Sequence, residues 1–346
     1  MAKRKTKKRA VVVCPGRGSY AKAELGYLKR YGSEVAHLVR AIDGERAKLG
    51  MPTVTELDSA PQFSLNTHTP GEHASDLIYA CSMADFFSID REQFEIVGVT
   101  GNSMGWYTAL ALAGGLTDGG DFKLIHTMGA MMQSGVIGGQ LVYPVVDDNW
   151  QPDRDKELSI ERALASVPEA AFVSIHFGGY KVIGGTTAAI QILKKELPPV
   201  DDIYPLVLVN HAAFHTPLLK KTSARAQKEI GPEWFQRPEL PLIDGRGKIW
   251  QPFATSPEDI RAYTLGHQVV ETYDFSKAIA VALKEFAPDC LILLGPGSGL
   301  GGACGQVLIQ NDWEGIKSKE DFSKRQKKKP FLLAMGREEQ RGLVTG

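Results

Sequence analysis

The chain has 346 residues, 43% of them apolar and 23% charged, with 40 basic residues balanced by 40 acidic ones. That composition excludes wholesale disorder, and the length suits about two domains at roughly 150 residues each. No apolar run reaches the ~18 residues needed to span a membrane. The lysine-rich start has no apolar segment behind it, so no secretory leader is expected. Residues 3–9 hold six Lys or Arg and residues 324–329 hold five, leaving 29 basic against 40 acidic residues elsewhere. Such runs can attract nucleic acid or anionic surfaces. No aromatic residues interleave with them, so they read as solvated termini and nucleic acid is not an expected partner. The cysteines, at 14, 81, 290 and 304, have no CxxC spacing and suggest neither a disulfide framework nor a zinc site. A reducing compartment, most simply the cytoplasm, is expected.

In chain order, Ala10–Val13 reads as a short buried strand that ends in a turn at 15–19. Residues 21–48 are mostly helical, and 52–73, with several Pro, Thr and Ser, read as loop. Leu77, Ile78, Ala80, Cys81 and Ala84 give residues 74–88 a helical period. Phe94–Thr100 is a strand running into Gly101-Asn102-Ser103-Met104-Gly105 and then an apolar helix, Trp106–Ala113. The middle of the chain predicts a strand at Gln140–Val146, a helix at Ile160–Val167 and strands at Ala171–His176 and Lys181–Ile183. A helix at Thr187–Leu197 and a strand at Tyr204–Val209 complete that stretch. This β-α-β-β-α-β order is ferredoxin-like. A helix from about 217, a Pro-rich irregular stretch at 231–253, a helix near 274–286 and a strand at Cys290–Leu294 follow. The expectation is an α/β protein: an α/β-hydrolase-like large domain with a parallel sheet (10–135 and 208–310) and an inserted ferredoxin-like small subdomain (136–207). A basic arm (1–9) and a polar C-terminal appendage (311–346) flank them.

GxSxG between a strand and a helix is a nucleophile elbow. The sharp turn lifts the Ser103 hydroxyl clear of the sheet, and glycines two residues to either side let the backbone fold tightly. The helix start then aims N–H groups at the reacting oxygen. The pentapeptide alone is weak; its flanking elements make it specific, and the bland alternative is a glycine-rich packing turn. A serine nucleophile needs a base. Of eight histidines, His215 follows the predicted strand at 204–209 and precedes Pro217, at the carboxyl end of a strand where α/β sheets build sites. His211-x-x-x-His215 resembles half a zinc site, but no Glu follows His211 and Pro217 places both in a loop. Zinc is therefore not expected, and His211 reads as a supporting residue.

Together these segments resemble the malonyl-CoA:acyl-carrier-protein transacylase family over about residues 10–310. Cys14-Pro-Gly-Arg-Gly-Ser19 resembles the family's FPGQGS turn, Gly101–Gly105 its GHSLG elbow, and Met128–Gln133 its RGxxMQ segment. Phe214-His-Thr-Pro-Leu218 resembles its catalytic-His segment and Gly295-Pro-Gly297 its terminal GPG. Gln268, seven residues before Phe275, falls where the family has a Gln ahead of an aromatic. The resemblance implies that Ser103 attacks an acyl-CoA thioester with His215 as base, and that backbone N–H groups of Met104 and Arg17 hold the oxyanion. It also implies that the acyl group passes to the phosphopantetheine thiol of an acyl carrier protein. No tightly bound cofactor or metal is implied, and His is oriented by backbone carbonyls rather than by a carboxylate. Asn102, Met128 and Gln268 would line the acyl site.

Three departures stand out. The family's carboxylate-binding Arg is Met128, its oxyanion-turn Gln is Arg17, and the His before its nucleophile is Asn102. A thioether cannot replace a bidentate Arg–carboxylate pair. Weak malonyl preference, or a monocarboxylic acyl group, is expected unless another cation fills in; Arg17 either supplies that charge or faces solvent. Two other functions fit the same residues: a hydrolase acting on acylated carrier proteins, and a non-catalytic carrier-binding module. Leu291–Gly301 imitates a dinucleotide fingerprint, with Glu314 and Glu320 about 20 residues on, but no apolar second strand precedes those acids, so it reads as a tight turn beside the acyl site. Trp106 and Tyr107 read as core packing, with acyl-pocket lining as the alternative.

Overall fold

The computed structural model describes residues 6–131, 135 and 137–345. Among them the strands are β1 (Lys8–Cys14), β2 (Phe94–Gly101), β3 (Gly139–Pro144), β4 (Ala171–Phe177), β5 (Tyr180–Gly185), β6 (Leu206–Val207), β7 (Leu242–Ile243), β8 (Ile249–Trp250), β9 (Tyr273–Asp274), β10 (Cys290–Leu293) and β11 (Leu332–Ala334). They form a six-stranded sheet in the order β11-β10-β1-β2-β7-β8 and a five-stranded sheet in the order β6-β3-β5-β4-β9. In the larger sheet every pairing is parallel except β7 with β8. Its centre, β1, is a continuous apolar run, Ala10–Cys14, with no exposed residue. A strand covered on both faces must read this way.

Helices cover the sheet. Gly71–Phe87 is buried along nearly its whole length, and Phe275–Phe286 buries Phe275, Ile279, Leu283 and Phe286. The helix Arg154–Ser166 lies between β3 and β4, and Thr187–Glu196 between β5 and β6. The four strands they connect take the antiparallel order of a ferredoxin-like unit, the fourth beside the first and then the third and second. This unit has its own apolar core around Leu141, Tyr143, Ile160, Ile183 and Leu193, separate from the main one. The α/β fold with an inserted small subdomain is as the sequence predicts. The junction is tighter than expected, because β9, from outside 136–207, pairs with β4 through Ile175–Tyr273 and His176–Asp274.

Four expectations are corrected. Residues 52–73 are not all loop: Val54–Asp58 and Leu65–His68 are helices, the first started by Thr53, whose side chain accepts from Glu56 N–H while Glu56 reaches back. The Pro-rich stretch 231–253 contributes β7 and β8, two residues each, too short for a hydrophobic period to mark. The basic arm is shorter than residues 1–9: Lys8 and Arg9 open β1, and the Arg9 side chain donates to Phe286 O at 2.7 Å; residues 1–5 lie outside the described residues. Residues 311–346 are not an appendage. The apolar run Phe331–Met335 is buried, and β11 extends the main sheet alongside β10. Arg341 forms a buried ion pair with Asp85 and donates to Tyr27 Oη at 2.6 Å. Asp85 also accepts from Gly295 N–H at 2.6 Å. Flanking lysines mask this short run in any average over the segment.

Candidate active site

The elbow is built by close backbone approach. A Cβ on Gly101 would stand 2.2 Å from Gly105 O, and one on Gly105 would stand 2.4 Å from Cys14 O at the end of β1. Both contacts are impossible for a side chain, so the turn requires glycine at the two ends of the motif. Asn102 N–H donates to Cys14 O at 3.0 Å and Gly105 N–H to Asn102 O at 2.7 Å. Between them Ser103 is held at φ +55°, a conformation that costs a non-glycine residue about 1 kcal/mol or more. The helix Gly105–Leu112 starts immediately after.

Ser103 Oγ lies 2.8 Å from His215 Nε2. His215 sits in the loop between β6 and the short 3₁₀ turn Pro217–Leu219, at φ +56°. Thr216 Oγ ties the loop to Ala213 O at 2.6 Å. His215 Nδ1 lies 2.5 Å from Gln268 O. A carbonyl only accepts, so Nδ1 carries the proton and Nε2 is left as the acceptor for the serine hydroxyl. Gln268 starts the last short helical piece, Gln268–Val270, after a π-helical turn at Tyr263–His267. Its carbonyl is one of those a helix end leaves without an intrahelical partner. The Gln268 side chain is fixed too: Nε2 donates to Ser103 O at 3.1 Å and Oε1 accepts from Tyr107 Oη at 2.7 Å.

Burial lowers the His215 pKa to about 4; the hydrogen bond to Gln268 opposes this and His267 reinforces it. The ring is neutral near pH 7, the form a base requires. His211 is also neutral, lowered to about 3 by burial and then by Arg17. It does not reach the serine. Its Nδ1 meets Gln140 Oε1 at 2.8 Å, Gln140 Nε2 donates to Ser174 Oγ at 2.6 Å, and Ser174 donates to Phe214 O at 2.7 Å. This chain holds the histidine loop against the small subdomain. Gln140 gave no signal in the sequence beyond lying on a predicted strand.

All seven predicted site residues—Arg17, Asn102, Ser103, Met104, Met128, His215 and Gln268—line one cavity of about 400 Å³ between the two sheets. Val142, Ile175, Val182 and Leu208 form its apolar wall on the subdomain side. Tyr107 lines it, whereas Trp106 is core, fully buried with Nε1 donating to Thr264 Oγ1 at 3.0 Å. Asn102 Oδ1 is buried without a hydrogen-bond partner among the described residues. Met132 and Gln133 of the segment at 128–133 lie outside the described residues. The glycine-rich turn after β10 serves close packing: a Cβ on Gly297 would stand 2.5 Å from Ser19 O, while Gly299 and Gly302 line the cavity. Among the described residues no group of three His, Cys, Asp or Glu is placed to hold a metal, and no helix is long and apolar enough to cross a membrane. All four cysteines are free and buried.

The fold is that of malonyl-CoA:acyl-carrier-protein transacylases. The chain is similar to the transacylase of Synechocystis sp. PCC 6803, with a TM-score of 0.75 at 17% identity over 97% of this chain and 100% of that one. The enzyme of Xanthomonas oryzae gives 0.72 at 18% identity, covering 98% of each chain. A malonyl-transacylase solved in complex with its type II polyketide acyl-carrier protein gives 0.71 at 18% identity, over 97% of this chain and 98% of that one. No protein-family model and no curated protein matches the chain by sequence.

Proposed function

We propose that the chain transfers an acyl group from a CoA thioester to the phosphopantetheine thiol of an acyl carrier protein, through an ester on Ser103. The observation that carries this reading is the relay from Ser103 Oγ to His215 Nε2 at 2.8 Å and from His215 Nδ1 to Gln268 O at 2.5 Å, inside a cavity lined by both domains. The similarity in fold to transacylases of that specificity, one of them crystallised with its carrier, agrees with it.

Ser103 Oγ attacks the thioester carbonyl as its proton passes to His215 Nε2. Backbone N–H groups of Met104 and Arg17, neither with an acceptor among the described residues, take the oxyanion. Removing one such donor typically costs about 10²–10³-fold in rate. The imidazolium, steadied by the Gln268 carbonyl, returns the proton to the departing CoA sulfur. The carrier thiol then gives its proton to His215 and attacks the ester, and the serine leaves with that proton. No carboxylate is needed, since the helix-end carbonyl orients the ring. The four buried free thiols fit a reducing, cytoplasmic setting.

The test is intact mass after incubation with acyl-CoAs, followed by addition of holo carrier protein. An adduct that persists and then moves to the carrier supports transfer. Rapid release as free acid identifies a hydrolase, and no adduct with any thioester identifies a binding module.

A further inference from the structure

The cavity around Ser103 is open at one end and closed at the other. Of its lining residues, Leu206, 43% exposed, and Gly299 are the ones at the surface. They set the mouth between the edge strand β6 and the start of the helix Leu300–Gln310. Tyr107, Met131, Leu219 and Val269, each 7% exposed or less, line the other end together with the half-buried Met128. The helices that carry or adjoin these residues are Gly105–Leu112, Gly120–Ala130, Lys220–Glu229 and Gln268–Val270. They pack in that order and shut this end.

Among the described residues no acid and no lysine lines the cavity. His211 and His215 are neutral near pH 7, lowered by burial to about 3 and about 4. Arg17 is the arginine among the lining residues. Its Nη2 donates to Thr69 O at 2.9 Å and to Asn210 O at 2.8 Å, and neither of those residues belongs to the lining. The side chain thus clamps the turn after β1 to two other loops, its guanidinium 5.4 Å from the Phe214 ring centroid. At the closed end the polar side chains are Gln268 and Tyr107, bonded to each other at 2.7 Å, and the hydroxyls of Ser75 and Thr222. None of these carries a charge. A carboxylate buried there would lack a counter-charge, which is unfavourable, whereas an alkyl chain gains by leaving water. Methionine side chains adapt to chains of different length. An apolar cavity of about 150 Å³ already holds benzene. One of about 400 Å³ has room for several carbons beside the thioester.

We propose that the closed end receives an uncharged alkyl chain, so that the substrates are CoA thioesters of straight-chain monocarboxylic acids of four carbons or more; this rests on the acyl-transfer reading above. The thioester lies at Ser103, the chain runs inward between Met128, Met131 and Leu219, and the pantetheine arm leaves past Leu206 and Gly299. Selection is by burial of methylene groups and by exclusion of a terminal charge.

Acetyl-, butyryl-, hexanoyl- and malonyl-CoA compete for Ser103, read by intact mass on the full chain. Butyryl is expected to label faster than acetyl by about tenfold, the worth of two buried methylenes, and hexanoyl faster again. Malonyl, close to butyryl in size, is expected to label more slowly than butyryl by about tenfold or more. Met131→Trp fills the closed end and is expected to lower the hexanoyl-to-acetyl ratio by about tenfold. Met128→Arg puts a cation there and is expected to raise malonyl against butyryl. Because each ratio is read on one preparation, partial loss of folded protein cancels. Malonyl labelling as fast as butyryl or faster, hexanoyl no faster than acetyl, or a ratio unchanged by Met131→Trp overturns the assignment. Calorimetric binding of the same thioesters to Ser103→Ala protein asks the question without chemistry. Affinity there that rises with chain length, with no labelling of the wild type, sustains the alkyl site and removes the acyl-transfer reading. Labelling of Ser103 led by malonyl does the reverse.

Discussion

The two walls of the cavity around Ser103 are built by different means. The catalytic wall is set by backbone: glycines packed against carbonyls at 2.2–2.4 Å from a would-be Cβ, Ser103 and His215 both at positive φ, and a helix-end carbonyl on His215 Nδ1. The opposite wall is set by side chains, Val142, Ile175 and Val182 on the subdomain sheet and Leu208 just past β6, with Met128 from the large domain. In the proposed reaction, backbone geometry fixes which atoms react, and exchangeable side chains decide what they react with. Substitutions on the first wall should therefore act on rate, and those on the second on selectivity.

The largest effect is expected at the reacting atoms. Ser103→Ala should abolish the acyl adduct, and His215→Ala should slow its formation by about 10³–10⁵-fold. The double variant should be no worse than the worse single one, because the two act as a unit; single-turnover mass spectrometry gives all three values. If the double variant were much slower than either single one, the residues would not form one relay.

Next comes the support behind the catalytic wall. Arg341→Met leaves Asp85 buried without its ion-pair partner, although Tyr27 and Gly295 N–H still reach it. Removing one member of such a pair costs about 3–5 kcal/mol, to be read from the urea midpoint. A change within about 0.5 kcal/mol would mean that the C-terminal segment is only loosely attached.

Gln268→Ala sharpens the comparison, because it keeps the carbonyl on His215 while removing the contacts to Ser103 O and Tyr107. A fall in kcat of about tenfold with little change in KM is expected for a positioning side chain. On the other wall, Val142→Ala should shift the preference between acetyl-CoA and butyryl-CoA by only a few-fold, since a methylene-sized change in an apolar pocket is worth about 1 kcal/mol. An equal loss of kcat for both thioesters would erase the distinction between the walls.

The pH profile is the finest probe. The proposed acylation requires neutral His215, whose pKa burial lowers to about 4. The rate should hold as pH falls through the ordinary histidine range near 6.5 and drop only near 4. For folding the sign is that of a depressed group. The unfolded histidine takes up its proton first, so stability drains as pH falls from about 6.5 toward 4. Thermal melts over that window separate loss of fold from loss of base.

What the sequence revealed follows the same division. The elbow was legible because its geometry permits only glycine at 101 and 105, and the ferredoxin-like unit because six periodic segments fell in order. The helix at Val54–Asp58 carried its capping pair, Thr53 and Glu56, in plain view, but Pro and Ser around it read as loop. β7 and β8 are too short to show a period, and β11 was hidden by lysines. Arg17 was visible as a charge out of place; the direction of its side chain depends on Thr69 and Asn210, 52 and 193 residues away. Gln140 could be found only once the chain had brought it to His211.

Peptide mapping after a short incubation with malonyl-CoA tests the Ser103–His215 relay most directly. The expected result is one acyl ester, on the peptide containing Ser103, absent from Ser103→Ala and discharged when holo carrier protein is added. An ester on any other residue, or undiminished labelling in Ser103→Ala, would contradict it.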